Sequence, residues 1–354
     1  MKPNKRLIIF IVLSVLGISF AFYAYQMIYT PNILVGDHPQ ARLFIVEDSM
    51  TFKDIQKKMH EERIVNDLMS FSFLAKLAGF DSEIKPGRYI LKPGMSNLEA
   101  LRLMRSGKQE PVQVTFNNVR VISELAEKIT RNLGMQPAEF EAAIIKFCSE
   151  NKFGFNENNV ISMFIPNTYE LYYNTSPDRL IEKMHEEYVK FWNETRVNQA
   201  KEVGFTPLEI STLASIVQAE TIRADEAPII AGLYINRLKK GIALQADPTL
   251  VFAVGDFGLK RVLNEHKAID SPFNTYKYPG LPPGPISMPE IRSIDAVLNY
   301  TKSDYYYMCA KEDFSGRHNF TNSYQEHMQN AARYQKALTI EQRKGEALRK
   351  KQQQ

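Results

Sequence analysis

An unbroken apolar segment near the start of the chain limits what the rest of the molecule can be. Beyond the basic residues of the first six positions, no charged residue occurs before Asp37, and residues 7–25 are almost entirely apolar. A helix of about 20 apolar residues spans the hydrocarbon core of a bilayer. We therefore predict a single-pass transmembrane helix over residues 7–27.

The residues that flank this segment predict its orientation. Lys5 and Arg6 precede it, and positive residues stay on the cytoplasmic side, whereas Tyr25 and Tyr29 lie where an aromatic belt meets the opposite headgroups. We predict that residues 1–6 are cytoplasmic and that the rest of the chain lies outside the inner (cytoplasmic) membrane. A cleaved signal peptide is the alternative, but its apolar part would be shorter and followed by small residues.

Charge and cysteine content exclude several classes of function. With 44 Lys and Arg against 40 Asp and Glu, the net charge is +4, too diffuse for a nucleic-acid footprint. Cys148 and Cys309 have neither metal-site nor redox spacing, although a disulfide between them stays possible in an exported chain. His318 and His327 do not match the usual helical zinc pairs. We predict neither a metal nor a cofactor.

The part after the transmembrane segment contains a spacer and then a repeated pattern. Residues 28–40 hold Pro and Gly with little apolar periodicity, which is typical of a spacer. A strand-like run followed by apolar residues at helical spacing then occurs twice, with an offset of 70 positions. The first copy has Leu43–Val46 followed by Phe52, Ile55 and Met59; the second has Val112–Phe116 followed by Ile122, Leu125 and Ile129.

The first copy continues through a second helix to a closing strand. A Pro-Gly turn at Pro86 leads into a strand ending at Leu91, and a helix from Asn97 is stopped by Gly107. This strand, helix, helix, strand unit resembles the LysM-like modules that grip glycan chains. A domain that only separates its neighbours is the alternative.

A predicted helix in the second half of the chain has one carboxylate on its apolar face. Thr206 and Glu209 form a capping box with Pro207 at the first helical position, so a helix begins there. Leu213 and the apolar residues after it share one face, and Glu220 falls on the same stripe. A carboxylate is costly on an apolar face unless it is paired or protonated.

Two roles are open for this carboxylate. Desolvation raises the pKa of a carboxyl group, and such a group can donate a proton to the leaving oxygen of a glycosidic bond. Alternatively, Glu220 pairs with Arg223 or another cation and only ties helices together. The loops that follow contain Pro, Gly, Asn, Gln, Asp and Tyr, which favours a rigid cleft for a hydroxyl-rich ligand.

Five motifs in this region resemble the YceG-like family of endolytic murein transglycosylases. The likeness extends over nearly the whole chain, including the N-terminal anchor and the Gly316–Phe320 segment. The motifs, in chain order, are Ala214–Thr221, Asn236-Arg237-Leu238, Leu244–Thr249, Asn274-Thr275-Tyr276 and Leu281-Pro282-Pro283-Gly284.

The resemblance implies lytic cleavage of peptidoglycan. In that reaction the bond between N-acetylmuramic acid and N-acetylglucosamine breaks without water, because the C6 hydroxyl of the muramic residue closes a 1,6-anhydro ring. Glu220 would act as the single catalytic acid and base. We predict that five further residues line the cleft and orient the sugar or hold Glu220. They are Asn236, Gln245, Asp247, Asn274 and Tyr276.

Two other functions stay open at this stage. A glycoside hydrolase would use Glu220 as acid and Asp247 as nucleophile or base, depending on their separation. A scaffold would bind glycan or partners of wall synthesis without chemistry. An anchored enzyme would act on new strands close to the membrane, where peptidoglycan synthases are possible partners, and would terminate their elongation.

The predicted architecture is an α+β fold with three parts. A single transmembrane helix is followed by a LysM-like βααβ unit and then by a mixed α/β catalytic domain of the YceG-like type. The predicted boundaries are 1–6 for the cytoplasmic N-terminus, 7–27 for the anchor, 28–40 for the spacer, 41–110 for the LysM-like unit, 111–338 for the catalytic domain and 339–354 for a charged tail.

Overall fold

The computed structural model describes residues 5–36, 40–259 and 262–352. Most of the predicted cytoplasmic segment, part of the predicted spacer and the last two residues of the predicted tail lie outside these ranges. The fold is mixed α/β, with helices predominating.

The helices and strands follow one another as α1 to α14 and β1 to β8. The helices are α1 (Lys5–Tyr29), α2 (Phe52–Glu61), α3 (Leu68–Leu77), α4 (Asn97–Ser106), α5 (Ile122–Thr130), α6 (Pro137–Glu150), α7 (Pro177–Phe191), α8 (Glu194–Val203), α9 (Pro207–Glu220), α10 (Ala227–Lys239), α11 (Asp247–Val254), α12 (Asn264–Lys267), α13 (Ile291–Leu298) and α14 (Tyr324–Gln352). The strands are β1 (Pro31–Ile33), β2 (Arg42–Val46), β3 (Gly87–Leu91), β4 (Met95–Ser96), β5 (Val112–Phe116), β6 (Asn167–Leu171), β7 (Tyr307–Ala310) and β8 (His318–Thr321). They pair as β1-β4, β2-β3, β5-β6 and β7-β8.

Helix α1 has the length and composition of a membrane span. It contains 25 residues, none of them buried, and within the described residues it is the one helix that is long and apolar enough to cross a bilayer. The sequence placed its apolar stretch correctly. An N-terminal apolar helix of this kind fits a single-pass anchor.

The chain forms two compact units whose limits differ from the predicted boundary at residue 110. The first unit comprises Met1–Val114, Thr130–Gln136 and Tyr169–Ser176, and the remaining residues form the second. A single cut in the sequence fails because the chain returns twice to the first unit after leaving it. Contacts between segments that are distant in sequence determine which unit a segment belongs to.

In the first unit, β2 and β3 pair in antiparallel register and enclose α2 and α3 in the chain order β2-α2-α3-β3. This is the predicted order of strand, helix, helix and strand. Helix α2 begins at Thr51, which forms a capping box with Asp54. Phe44, Ile55, Phe71 and other apolar side chains form the core of the unit.

The predicted spacer over residues 28–40 is wrong for its central part. Residues Pro31–Ile33 form β1, and Ile33 and Leu34 are almost completely buried in the core of the first unit. Asn32 explains why a polar, proline-containing segment belongs to a core: its side chain donates to Asp67 O at 2.9 Å and to Asn97 Oδ1 at 2.7 Å. Buried polar groups that are satisfied in this way join elements firmly.

The predicted repeat is present in the element order. Strand β5, helices α5 and α6 and strand β6 follow the same sequence as the first copy, and β5 pairs with β6. The aligned positions agree in burial, since Leu125 and Ile129 are fully buried, as are Ile55 and Met59 seventy positions earlier. Helical spacing of apolar residues therefore identified both first helices correctly.

The second unit is built around α9. This helix contacts α10, α11 and α13, and its central residues are buried on every side. Helix α14 continues from Tyr324 without a break into the charged tail that we predicted over residues 339–354.

Candidate active site

Helix α9 brings Glu220 to the site at its last residue. The Thr206 amide donates to Glu209 Oε2 at 2.7 Å and the Glu209 amide donates to Thr206 Oγ1 at 3.3 Å, which completes the predicted capping box. Leu213 and Val217, on the stripe that ends at Glu220, have no exposed surface. The core therefore fixes the helix rotation, and with it the position of the carboxyl group.

Burial decides the protonation of Glu220. Desolvation raises its pKa from the ordinary 4.5 to about 7, although a hydrogen bond from Tyr234 opposes the rise and the charge of Asp247 adds to it. The C-terminal end of a helix carries a partial negative charge, which also disfavours a carboxylate there. The group can therefore hold and release a proton near neutral pH.

Tyr234 is the side chain that holds Glu220. Its hydroxyl donates to Glu220 Oε1 at 2.7 Å, and its ring is almost completely buried on α10. The alternative of a salt bridge to Arg223 is wrong, because the guanidinium of Arg223 donates to Ser315 O at 2.6 Å. Glu220 is therefore positioned by a neutral donor, which leaves its proton available.

Glu220 borders three cavities, which have volumes of about 860, 310 and 270 Å³. The largest is lined mainly by α9, α11 and α14 together with the loop that contains Asn118 and Arg120. The second is lined by aromatic rings, Tyr234, Tyr276, Tyr306, Tyr307, Tyr324 and His327. Open space on several sides of one acid suits a polymeric ligand that passes through the site.

Gln245 and Asp247 both border the second cavity with Glu220, and Asp247 also borders the largest. Gln245 has a left-handed backbone with φ of 55°, and its Oε1 accepts a hydrogen bond from Arg237 at 2.8 Å. A non-glycine residue in this region is strained, and such strain is concentrated at functional sites. The sequence predicted that these two residues would line the cleft, and the structure brings them to the same cavity as Glu220.

Asp247 is paired with Tyr276. The Tyr276 hydroxyl donates to Asp247 Oδ1 at 2.5 Å, and both side chains line the second cavity. Burial raises the pKa of Tyr276, and the hydrogen bond to Asp247 raises it further, so its hydroxyl stays protonated at neutral pH. Asp247 begins α11, where the positive end of the helix dipole stabilises a carboxylate.

Asn236 and Asn274, which we predicted as cleft residues, do not line any of the three cavities that Glu220 borders. The Asn274 amide nitrogen donates to Lys267 O and Ile269 O, and its oxygen accepts from two backbone amides, including that of Tyr276. The Asn236 amide donates to carbonyl groups at 2.8 and 3.1 Å. The two asparagines hold backbone segments, and Asn274 contacts the cleft indirectly, through the amide of Tyr276.

Arg237 has a structural role beside the cleft. Its guanidinium donates to Ala243 O, Tyr306 O and the Gln245 amide oxygen. It is buried, and burial lowers its pKa. Five donors in a fixed fork allow one arginine to join two segments of backbone and one side chain. Arg237 thus fixes the strained segment at Gln245.

The proline-rich loop after Leu281 is held close against the chain. A Cβ on Gly284 would lie 1.9 Å from Asn158 O, so only glycine fits at this position. Farther on, the Ile286 amide donates to Ser215 Oγ at 3.0 Å, which ties the loop to the middle of α9. Ile286 and Ser287 then line the largest cavity.

The two histidines have separate surroundings. His318 lies 3.0 Å from the buried carboxylate of Glu226, and His327 stacks on Tyr307 with ring centroids 5.3 Å apart. Among the described residues, no cluster of three His, Cys, Asp or Glu side chains has the arrangement of a metal site. Cys148 and Cys309 are both free thiols, and burial raises their pKa.

Sequence reasoning missed Tyr234 as the partner of Glu220. The residue stands two positions before the Asn236-Arg237-Leu238 motif, 14 positions from Glu220 and on a different helix. The spacing of residues along one helix predicts which side chains share a face of that helix. It does not predict which side chains of two different helices contact each other. Apart from Tyr276, which was predicted, the aromatic lining of the second cavity was missed for the same reason.

Two known proteins that are similar to this chain carry the same name. A chain of Streptococcus pneumoniae named endolytic murein transglycosylase is 24% identical over 356 residues, which cover 92% of this chain but 64% of the relative. A Bacillus subtilis protein of the same name is 29% identical over 286 residues, covering 77% of this chain and 78% of that one. This chain thus spans less than two thirds of the length of the Streptococcus relative.

A solved structure is similar as well. A YceG-like protein from Listeria monocytogenes is 26% identical and superimposes with a TM-score of 0.52, covering 82% of this chain and 98% of that structure. The model of the YceG-like family matches residues 44–333, which include nearly all of both copies of the repeat and most of the residues that line the cavities around Glu220. The chain described here therefore belongs to the YceG-like family.

Proposed function

We propose that this chain is an endolytic lytic transglycosylase of peptidoglycan that uses Glu220 as its only acid and base. The observation that carries the proposal is a carboxyl group with a pKa of about 7, held by a neutral tyrosine at the meeting of three cavities. Membership of the YceG-like family and the names of the Streptococcus and Bacillus relatives support it.

In the first step, Glu220 acts as the acid. A glycan strand lies across the site with the bond between N-acetylmuramic acid and N-acetylglucosamine beside the carboxyl group. Protonated Glu220 donates its proton to the bridging oxygen, the bond from the muramic C1 to that oxygen breaks, and the N-acetylglucosamine side leaves as an alcohol. Positive charge develops at C1, and the carboxylate left on Glu220 stabilises it.

In the second step, Glu220 acts as the base. The carboxylate accepts the proton of the muramic C6 hydroxyl while that oxygen forms a bond to C1, which closes the 1,6-anhydro ring and restores the acid. The Tyr234 hydroxyl stabilises the carboxylate between the two steps, because a hydrogen bond to the ionised form lowers the pKa. No water is consumed, so a second carboxylate is not required.

A hydrolase is the second candidate, since Asp247 borders two of the same cavities as Glu220. Asp247 would then act as base or nucleophile. Its hydrogen bond from Tyr276 favours a supporting role, because the base would have to give up this donor in order to take a proton from water. A binding scaffold without chemistry has no use for an acid with a raised pKa.

One experiment separates the three functions. The full chain in detergent micelles and its Glu220→Gln variant are each incubated with purified peptidoglycan, and the products are analysed by mass spectrometry. Anhydro-ended internal fragments from the parent chain alone support the lytic reaction. Reducing ends would favour the hydrolase, and unchanged strands with both proteins would favour the scaffold.

The location follows from α1 and belongs to the same proposal. The helix would span the inner membrane once, with Lys5 and Arg6 on the cytoplasmic side and both compact units outside. The β2-α2-α3-β3 part would be a LysM-like module. In this position the enzyme would cut new strands beside the synthases and end their elongation, and a variant without α1 that cuts equally well in cells would contradict this placement.

A further inference from the structure

Helix α3 is apolar on both of its faces. Phe71, Leu74 and Ala75 point into the core of the first unit and are nearly or fully buried. On the opposite side, Met69 is 80% exposed and Leu77 is 73% exposed. A surface helix normally presents polar groups to solvent, and a helix that is apolar all round is normally covered on all sides.

The exposed side chains form a single stripe. Met69, Phe73 and Leu77 stand four positions apart, which places them one above another on a helix, and Phe73 is 59% exposed. The distance along the helix from residue 69 to residue 77 is about 12 Å, so the stripe covers most of the element. Lys76 is the one charged residue between Leu68 and Leu77, and no carboxylate occurs among them.

The first turn of α3 is joined to the last turns of α1. The Asn97 amide nitrogen donates to Met27 O at 2.9 Å and also to Ser70 Oγ at 3.0 Å. Met27 and Ile28 pack against the core of the first unit, and α1 contacts both α3 and α4. The end of the apolar helix is therefore a fixed part of this unit.

The residues around this junction indicate its level in a membrane. Tyr25 and Tyr29 lie within one turn of Met27, with ring centroids 5.3 Å apart and rings that are more than half exposed. Tyrosines at the end of a span occupy the boundary between headgroups and acyl chains. A helix that begins beside Met27 therefore begins at this boundary.

We propose that α3 lies in the outer surface of the membrane, with Met69, Phe73 and Leu77 inserted among the acyl chains next to α1. The proposal rests on the membrane anchor proposed above. Apolar faces of interfacial helices enter to a depth of about 5–10 Å. Lys76 can extend its ammonium group to lipid phosphates while its carbon chain stays apolar. The first unit is then attached through two helices instead of one.

Tryptophan probes in the full chain test this placement. The parent chain has a single tryptophan, Trp192, which is buried and supplies the baseline. Three variants are reconstituted in vesicles of phosphatidylcholine and phosphatidylglycerol, with or without brominated acyl chains, which quench nearby indoles. They are F73W on the stripe, F20W in the middle of α1 and F153W in the second unit.

The matched control is F153W, because Phe153 is 58% exposed and Phe73 is 59% exposed, and the substitution is the same. We expect brominated lipid to reduce the emission from position 73 at least about twofold, as for a side chain at interfacial depth. Brominated lipid should reduce the emission of F153W no more than that of the parent chain. L77W repeats the test if F73W does not fold.

The other outcomes distinguish this proposal from the anchor. Quenching in F20W but not in F73W would leave the anchor intact and overturn the membrane face of α3. No quenching in F20W would overturn both the membrane anchor and the membrane face of α3. Equal quenching in F73W and F153W contradicts a specific face. Protection of position 73 from aqueous iodide without quenching by brominated lipid would mean that protein covers the stripe, which also overturns the proposal.

Discussion

Helices α3 and α9 both depart from the usual pattern in which apolar side chains are buried and charged side chains are exposed. Helix α9 ends in a carboxylate on its buried stripe, whereas α3 presents three large apolar side chains on its exposed face. Either arrangement costs free energy in a protein that only has to fold in water. The carboxylate serves the proposed chemistry and the apolar stripe serves the proposed contact with lipid, so departures from ordinary patterning locate both functions.

The largest expected effect comes from removing the acid of α9. We expect Glu220→Gln to lower the rate of strand cleavage at least about 10³-fold, because a positioned acid and base contributes about 10²–10⁴-fold. The measurement is the initial rate of release of anhydro-ended fragments. Glu209→Gln is the matched control: it lies on the same helix, is exposed and keeps a capping side chain. Equal losses in both variants would contradict a chemical role.

The two faces of α3 should respond differently to truncation. Phe71→Ala removes a fully buried ring and should lower the free energy of unfolding by about 3–5 kcal/mol. Phe73→Ala, two positions away but exposed, should change it by less than about 0.5 kcal/mol. Denaturant unfolding of the full chain in detergent measures both values. Similar losses would mean that a protein contact covers Phe73.

The buried carboxyl group of α9 should make stability depend on pH. The pKa of Glu220 is about 7 in the folded state, whereas its ordinary value is 4.5. The free-energy cost of keeping this carboxyl group desolvated in the folded protein is therefore absent below pH 4.5 and grows as the pH rises to 7. Above that pH, Glu220→Gln should stabilise the protein by up to about 3 kcal/mol. The free energies of unfolding of parent and variant should converge at pH 4. A constant difference would indicate that burial is not the cause.

The smallest effect is expected from the partner of Glu220. Tyr234→Phe should lower the cleavage rate about fivefold, since one hydrogen bond contributes about 1 kcal/mol. It should also move the alkaline limb of the pH profile upward, because the hydroxyl lowers the pKa of Glu220. Tyr188→Phe is the control, a tyrosine packed against Trp192 and outside the cavities that Glu220 borders. An unchanged profile in Tyr234→Phe would contradict the positioning role.

Local patterns predicted the parts of the fold that local forces decide. The apolar length of α1, the capping box at Thr206 and the helical spacing at Ile55 and Leu125 all correspond to elements of the structure. Each depends on residues within one or two turns of each other, where sequence spacing equals spatial spacing. The position of Glu220 on its stripe is a result of the same kind.

Predictions that needed contacts between distant segments were less complete. The segment at Ile33 appeared to be a spacer because its burial depends on partners at residues 64–67 and 95–97. Asn236 and Asn274 were chosen for their amides, but backbone carbonyls of neighbouring loops occupy those amides. Residue type shows that a hydrogen bond will form, and only the tertiary structure decides with which group.

The sequence by itself determined a membrane-spanning length, a repeated order of strands and helices, and a carboxylate on an apolar stripe. These follow from periodicity and from the cost of exposing apolar groups or burying charge. Only the tertiary structure decided that Tyr234 holds Glu220, that three cavities meet there, and that α3 starts beside the end of α1. These are relations between separate elements, and packing of the whole chain is what sets them.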